Sequence, residues 1–458
     1  MTFPIEFEQR MKTLLCDEYS DFSDAYDRQP IRGLHVNLHK MTVDKLLDVA
    51  DFKLQPLTIS RESFVFECDR IGAHPLHHSG AIYVQEPSAM LPVAMLDATD
   101  LRSLDNLRVL DLCASPGGKS SQAANLFADR CVFLLSNEYV PKRALTLAEN
   151  IERLGITDAA VTNLPSDVLA RDCEGCFDLT IVDAPCSGEG MFRKNPNALS
   201  EWSAENVIMC ADKQRGILEC AAKTVADGGY LLYSTCTFSV EENEANVDHF
   251  LKTHPEFVPV TPLENVISAS SDGISYNGRD MSFCRRVYPH KNIGEGQFAA
   301  LFRKDLPRSE HRLDSACADL PALSSGDEAC AREFLLSVLD PDRVSKLRLC
   351  AKKDGIYIVS RSAIFPRSGV LSPGVKLGEL RKGRLVPHHR FFMAYGRYFA
   401  NKFEVDIDTA RKYISGVEIG CDSFSGYGVV TYGGATLGGV KVSSGIAKNH
   451  YPKGLRDR

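Results

Sequence analysis

Long apolar runs are missing from this 458-residue chain. No stretch approaches the roughly 18 apolar residues that a membrane-spanning helix needs. The opening MTFPIEFEQRMKTLL is too polar and has no apolar block of the kind that marks a secretory leader. Both absences lead to the expectation of a soluble cytoplasmic protein that works as a monomer away from membranes. An excess of positive charge is missing too. The 53 Lys and Arg stand against 60 Asp and Glu, for a net charge of -7. That argues against the uniformly basic surface of a non-specific nucleic-acid binder, while leaving room for a local basic patch. Paired metal-ligand cysteines are scarce. Among 15 Cys, only Cys173 and Cys176 form a C-x-x-C, with no second pair and no histidine partner. The expectation is therefore reduced thiols and no metal. Internal repeats and low-complexity tracts are absent as well.

What is present is an alternating rhythm. From Leu107, LRVLDLC, CVFLLSNE, AAVTN, FDLTIVDAP and GGYLLYSTCTF read as strands. SSQAANLFA, PKRALTLAENIERLG and MCADKQRGILECAAKTVADGG read as helices between them, the last closed by its glycines. Such alternation predicts an α/β fold with a mostly parallel, Rossmann-like sheet covered on both faces. RRVYPHKNIGEGQFAALFRK reads as a hairpin completing that sheet. The expected organisation is an N-terminal α+β RNA-recognition extension over 1–100, the sheet domain over 101–305 and a linker over 306–329. A small α+β unit over 330–370 and a glycine-rich, mostly β domain over 371–458 follow.

The first strand runs into Asp111-Leu-Cys-Ala-Ser-Pro-Gly-Gly-Lys119. Two glycines between a strand and a helix let a ligand approach the backbone and aim the helix N-terminus at it. Gly118-Lys119-Ser120 looks like the end of a phosphate-binding loop, but Cys113 occupies the position where that motif needs glycine. Glu138 ends the second strand, where a carboxylate can accept both ribose hydroxyls of a nucleoside. Asp167 follows the third strand, within reach of an adenine amino group. Together these features indicate an adenosine cofactor, and the missing G-x-G-x-x-G disfavours a dinucleotide.

The fourth strand leads into Asp183-Ala-Pro-Cys186-Ser-Gly-Glu-Gly and the fifth into Ser-Thr-Cys236-Thr-Phe. Two thiols and an acid thus gather at the carboxyl edge of the sheet. Methylation of cytosine at carbon 5 requires such a set. A thiolate adding to carbon 6 makes carbon 5 nucleophilic. An acid at ring nitrogen 3, here Asp183, offsets the charge that develops. A second thiol can assist expulsion of the first.

The segments DLCASPGGK, DAPCSGEG and YSTCTF resemble the signature motifs of the Nol/Nop/Sun RNA cytosine-5 methyltransferases. GVKLGELRKGRLVP and KNHYPKGLR are similar to the ending of its bacterial 16S ribosomal RNA methyltransferase F branch, which carries a PUA-like C-terminal domain. The resemblance implies S-adenosyl-L-methionine as methyl donor, bound by Cys113, Ala114, Ser115, Pro116, Gly117, Gly118 and Lys119, with Glu138 on the ribose, Asp167 near the adenine and Asp183 at the methyl donor. It implies Cys236 as nucleophile, Asp183 at the target base and Cys186 in product release. Ribosomal RNA or the small ribosomal subunit is the implied partner. Transfer RNA methylation and a catalytically silent RNA-binding assembly factor are the alternatives. Ser115 stands where this family often has alanine, and Gly439 where tryptophan is expected. Lys441, Lys448, Lys453, Arg456 and Arg458, with Arg381, Lys382 and Arg384, form the basic patches expected to hold phosphates. His290 and Phe298 match the family pattern and are equally suited to packing.

Overall fold

A computed structural model describes residues 1–128, 132–308 and 320–456. Its central feature is a ten-stranded mixed sheet. The strands are β1 (Leu107–Asp111), β2 (Val132–Asn137), β3 (Ala159–Thr162), β4 (Phe177–Asp183), β5 (Val225–Thr235), β6 (Phe257–Pro259), β7 (Ser271–Asp272), β8 (Arg285–Val287), β9 (Gln297–Lys304) and β10 (Val370–Ser372). They lie in the order β7-β8-β9-β5-β4-β1-β2-β3-β10, with β6 also on β9. The five from β3 to β5 in this order pair in parallel, and the outer strands are antiparallel. Both faces of the parallel strands are buried, which is why they read as continuous apolar runs.

Helices α1 (Gly118–Leu126), α2 (Pro141–Leu154), α3 (Ser166–Asp172), α4 (Ala204–Thr224) and α5 (Glu244–Thr253) supply the crossovers and cover the sheet. Proline opens α2 and Gly155, at φ 66, closes it. The glycines expected to close α4 do something else. The helix ends at Thr224, and Val225 enters β5 directly in register with Phe177. Gly228, at φ 73, sits in the irregularity that follows, and a Cβ on Gly229 would lie 2.9 Å from the Asp178 carbonyl of the neighbouring strand.

The N-terminal part has two short helices (Ile5–Leu15, Tyr19–Ala25) and an antiparallel four-stranded sheet (Lys53–Pro56, Ser63–Glu67, Gly33–Val36, Ile82–Val84). Phe7 packs edge-on to Phe192 and Trp202, and Phe22 to Phe238, so these helices brace the loops beyond β4 and β5. After the sheet domain, a four-stranded sheet runs from Arg348 to Pro387 and crosses position 370, where a boundary was expected. The reason is that β10 leaves this segment to pair with β3, tying it to the sheet domain. Of the expected linker, residues 309–319 lie outside the described residues, and its end already belongs to helix Ser325–Leu336. A five-stranded sheet completes the chain, its longest strands being Gly426–Tyr432 and Ala435–Ser443. Among the described residues, no helix is long and apolar enough to cross a membrane.

The two ends of the chain share one hydrophobic core. Leu34, Val36, Phe64 and Phe66 of the N-terminal sheet pack with Tyr413, Leu437, Val440 and Tyr451. Lys40 Nζ donates to the Met393 carbonyl, and His78 Nδ1 lies 2.7 Å from Tyr451 Oη. Two buried histidines belong to these junctions. Burial lowers His35, beside Ser121 of α1, to about 4. Burial, with the charges of His388, Lys40 and Arg390, lowers His389 to about 3. Both folded values lie below the ordinary 6.5. The stability each confers is therefore complete above that value and lost as pH falls toward the folded one, at about 1.4 kcal/mol per pH unit per group. Thermal melts of the wild type and His389→Gln should therefore differ by a constant amount above about pH 7 and converge toward about pH 5. Parallel curves would remove His389 from the acid response.

Candidate active site

β1 delivers Asp111 to the sheet's carboxyl edge. Its side chain is fully buried, accepts from Ser120 Oγ at 2.7 Å, and is pushed by burial to about 7. The chain then turns through Cys113–Gly117 into α1. Gly117 has φ 110, the left-handed region that favours glycine, and it caps the helix. A Cβ on Gly118 would meet Gln85 at 3.1 Å and Tyr83 at 3.3 Å, so the turn is pressed against the N-terminal part. Two side chains of α2 hold its other side: Arg143 Nη2 donates to the Ser115 carbonyl at 3.0 Å, and Asn150 Nδ2 to the Pro116 carbonyl at 2.9 Å. Ser115 is more than a tolerated departure, since its hydroxyl donates to the Arg143 carbonyl at 3.0 Å. Ala114 N donates to the Asn137 carbonyl at 2.8 Å.

Glu138 ends β2 as a buried carboxylate that accepts from Val140 N at 2.8 Å and lies 3.4 Å from Arg143 Nη2. Asp167 is exposed in the first turn of α3, rather than at the end of a loop. Cys113 marks where the acids converge. Desolvation and the negative charges of Asp111, Asp183 and Glu138 push its thiol far above the usual range, so it stays protonated and is no nucleophile. Lys119 points toward Asp183, another residue expected at the methyl donor. Its buried ammonium reaches Asp183 at 2.8 Å, and Ser234 Oγ donates to the other Asp183 oxygen at 2.8 Å.

The two thiols meet. Cys186 Sγ lies 3.2 Å from Cys236 Sγ, close enough to share a proton. The hydrogen bond to Cys236, reinforced by burial, pushes Cys186 well above the usual thiol range. Cys173 and Cys176 are buried in the core under β4, and among the described residues no group of three His, Cys, Asp or Glu is placed to hold a metal ion.

The sequence reading missed the residues that hold these loops. Asn137 donates to the carbonyls of Leu112 and Leu164 and accepts from Thr162 Oγ1 and Leu164 N. Glu189 accepts from Trp202 Nε1, Thr237 Oγ1 and Phe238 N. Glu242 accepts from Ser187 N and Gln214 Nε2, and burial pushes it to about 7. A buried polar side chain must find partners, but the sequence does not say which. His290 and Phe298 pack: His290 against Phe22, and Phe298, fully buried, against Tyr233.

The basic residues divide. Lys441 and Lys448 face each other across a strand pair, both exposed, and Lys441 lies over the Tyr427 ring. Arg381 pairs with Glu379, Arg456 donates to the Tyr451 carbonyl, and Arg458 lies outside the described residues. Gly439 is covered by the Phe392 ring, 2.4 Å from where a Cβ would stand, which leaves no room for tryptophan without displacing that ring.

Asn137→Ala should lower stability by about 3 kcal/mol, because buried carbonyls lose their donors. Urea unfolding measures this, and a loss below about 1 kcal/mol would show that the loops hold without it.

Residues 98–303 match the family described as 16S rRNA methyltransferase RsmB/F. Residues 3–87 match the N-terminal domain of 16S rRNA methyltransferase RsmF, and 400–457 the methyltransferase RsmF PUA domain. The ribosomal RNA small subunit methyltransferase F of Serratia proteamaculans is 31% identical, over 95% of this chain and 92% of its own length. That of Vibrio vulnificus is 31% identical, over 99% and 98%. A solved methyltransferase homologue from Pyrococcus horikoshii is 25% identical and covers 66% of this chain and 95% of its own, at a TM-score of 0.57. The structure of PH0851 is 26% identical and covers 66% of each chain, at 0.59. The identity extends over nearly the whole length and includes both flanking regions as well as the sheet domain, so the chain belongs to the ribosomal RNA small subunit methyltransferase F family.

Proposed function

We propose that this enzyme methylates carbon 5 of cytosine in 16S ribosomal RNA, with S-adenosylmethionine as donor and Cys236 as a covalent nucleophile. The 3.2 Å contact of Cys186 and Cys236 carries the reading, with Asp183 fixed on the same pair of strands. The names of its relatives supply the RNA, and a ribosomal substrate implies work in the cytoplasm. The residues of the turn suit the donor. Gly117 and Gly118 leave backbone bare, Glu138 offers a buried acceptor for ribose hydroxyls, and Asp111 keeps one buried oxygen without a hydrogen-bond partner. Asp167, exposed nearby on α3, suits the adenine edge. S-adenosylmethionine, when bound, supplies the methyl group that carbon 5 takes up.

The chain's own residues do the rest. Cys236 Sγ adds to carbon 6, and the ring electrons shift toward nitrogen 3, where a proton from the Lys119–Asp183 pair neutralises them. After methylation, a base takes the carbon 5 proton, the bond from carbon 6 to Cys236 breaks as the ring double bond re-forms, and nitrogen 3 returns its proton to the Lys119–Asp183 pair. Cys186, protonated in the free enzyme, donates its hydrogen bond to the attacking Cys236 thiolate and gives that proton to the sulfur when it departs. Lys441 and Lys448, exposed and facing each other across a strand pair, are suited to RNA phosphates.

Bisulfite sequencing of RNA from a strain lacking this gene should show loss of a 5-methylcytosine in 16S RNA that the parent carries. Loss in transfer RNA instead would move the substrate, and no loss would sink the reading. With substrate RNA and donor, Cys236→Ala should form no complex that survives denaturing electrophoresis, whereas Cys186→Ala should accumulate one. The reverse pattern would exchange the two roles. Glu138→Ala should weaken donor binding by about tenfold or more in calorimetric titration, while RNA affinity stays constant. Unchanged donor affinity would take Glu138 out of the site.

A further inference from the structure

Two neighbouring residues of one turn each grip a different thiol loop. Glu242 reaches the loop of Cys186, accepting from Ser187 N at 3.0 Å and from Ser187 Oγ, while Gln214, which donates to the Pro185 carbonyl at 3.0 Å, donates to Glu242 at 2.7 Å. The residues on both sides of Cys186 are thus tied to one carboxylate. Asn243 does the same for Cys236. Its Oδ1 accepts from Thr235 Oγ1 at 2.6 Å, and its Nδ2 donates to the Thr237 carbonyl at 2.9 Å. Both side chains are fully buried or nearly so, and the turn between them is anchored by Tyr233 Oη donating to the Glu242 carbonyl at 2.6 Å. Cross-ties add to the grip: Ser187 and Thr237 hydroxyls lie 2.9 Å apart, and Gly190 N donates to the Cys236 carbonyl at 2.9 Å.

We infer that Glu242 and Asn243 are a two-jawed positioning pair that sets the spacing of Cys186 and Cys236. The inference rests on the proposed reaction for its purpose but not for its geometry. Neither side chain is needed to close the sheet, since β4 and β5 already pair in register up to Asp183 and Ser234. Beyond those residues the ladder stops, and apart from two backbone bonds, Ala184 N to the Ser234 carbonyl and Gly190 N to the Cys236 carbonyl, side-chain bonds hold the two loops together. Proton exchange between two sulfurs requires them to stay in contact, and a displacement of about 1 Å can cost a hundredfold in rate.

The spacing can be read without catalysis. Diamide, a two-electron thiol oxidant, takes up the two thiol protons and two electrons, becoming the hydrazine as the S–S bond forms. The Cys186–Cys236 link is then counted by alkylation and peptide mass. In Glu242→Gln and Asn243→Asp, closure should slow about tenfold or more and kcat fall by about a hundredfold, with KM for the methyl donor within about twofold. Glu241→Gln, in the same turn but facing Arg10 and Ser239, should match the wild type in all three. A positioning pair requires the closure rate and kcat to move together while cooperative melting persists. Should a buried variant fail to fold, Ser187→Ala and Thr235→Val remove one bond from each jaw, and closure should slow in both. Wild-type closure in folded variants overturns the inference, whatever happens to methylation. Slowed closure in an enzyme with no adduct chemistry would keep the inference and fail the proposed reaction instead.

Discussion

Everything at the reacting edge depends on the parallel pairing of β4 with β5. Asp183 stands opposite Ser234 in that register. The loops that follow therefore leave the sheet side by side, and the Cys186 and Cys236 sulfurs come within 3.2 Å although 50 residues separate them. A one-residue slip would turn the side chains at both strand ends to the opposite faces. The irregularity after Phe177, with Gly228 and Gly229, absorbs the extra residues so that the upper halves of the two strands stay aligned.

From that constraint follows a division of electrostatic labour. Asp111, Asp183 and Glu138 crowd around the glycine turn, and the thiol among them, Cys113, is held protonated by burial and by their charge. Lys119 and Arg143 are the cations that make this concentration tolerable, at Asp183 and Glu138 respectively. Away from the turn, two buried carboxylates are tied by neutral donors: Glu242 by Ser187 and Gln214, Glu189 by Trp202 and Thr237. Others are paired with cations: Glu244 with the fully buried Arg286, Glu295 with Arg193, and Asp248 with Lys252 and Arg279. Removing one member of such a buried pair leaves the other charge uncompensated, which costs far more than the pair's net stabilisation.

The ends of the chain contribute by position. The first two helices brace the aromatic side chains that follow the thiol loops, through Phe7 on Phe192 and Phe22 on Phe238. The N-terminal sheet and the last sheet share a single core, so the exposed Lys441 and Lys448 are carried on a sheet packed against the N-terminal part. Val440, Val442, Ala447 and Tyr451 are buried in that core, so a truncation after Val440 would remove structure along with charge.

The sequence by itself determined the sheet domain and the acids and thiols at its carboxyl edge. Apolar runs of strand length alternating with amphipathic helices leave few arrangements, and Asp111, Glu138, Asp183, Cys186 and Cys236 all follow strands whose ends are legible. Glycine at 117 and 118 was readable because bare backbone has a local signature. What the tertiary structure alone decided were partners. Lys119 sits in a loop that looks made for a ligand, yet its charge meets Asp183. Asn137, Glu189, Gln214, Glu242 and Asn243 carry no motif that announces them, since a buried amide or acid is satisfied by whichever donor the fold brings near. The boundary at 370 failed for the same reason: β10 is a strand because β3 offers it an edge. Propensity and spacing are local and were written in the chain, whereas the choice of partner across tens or hundreds of residues was made by packing.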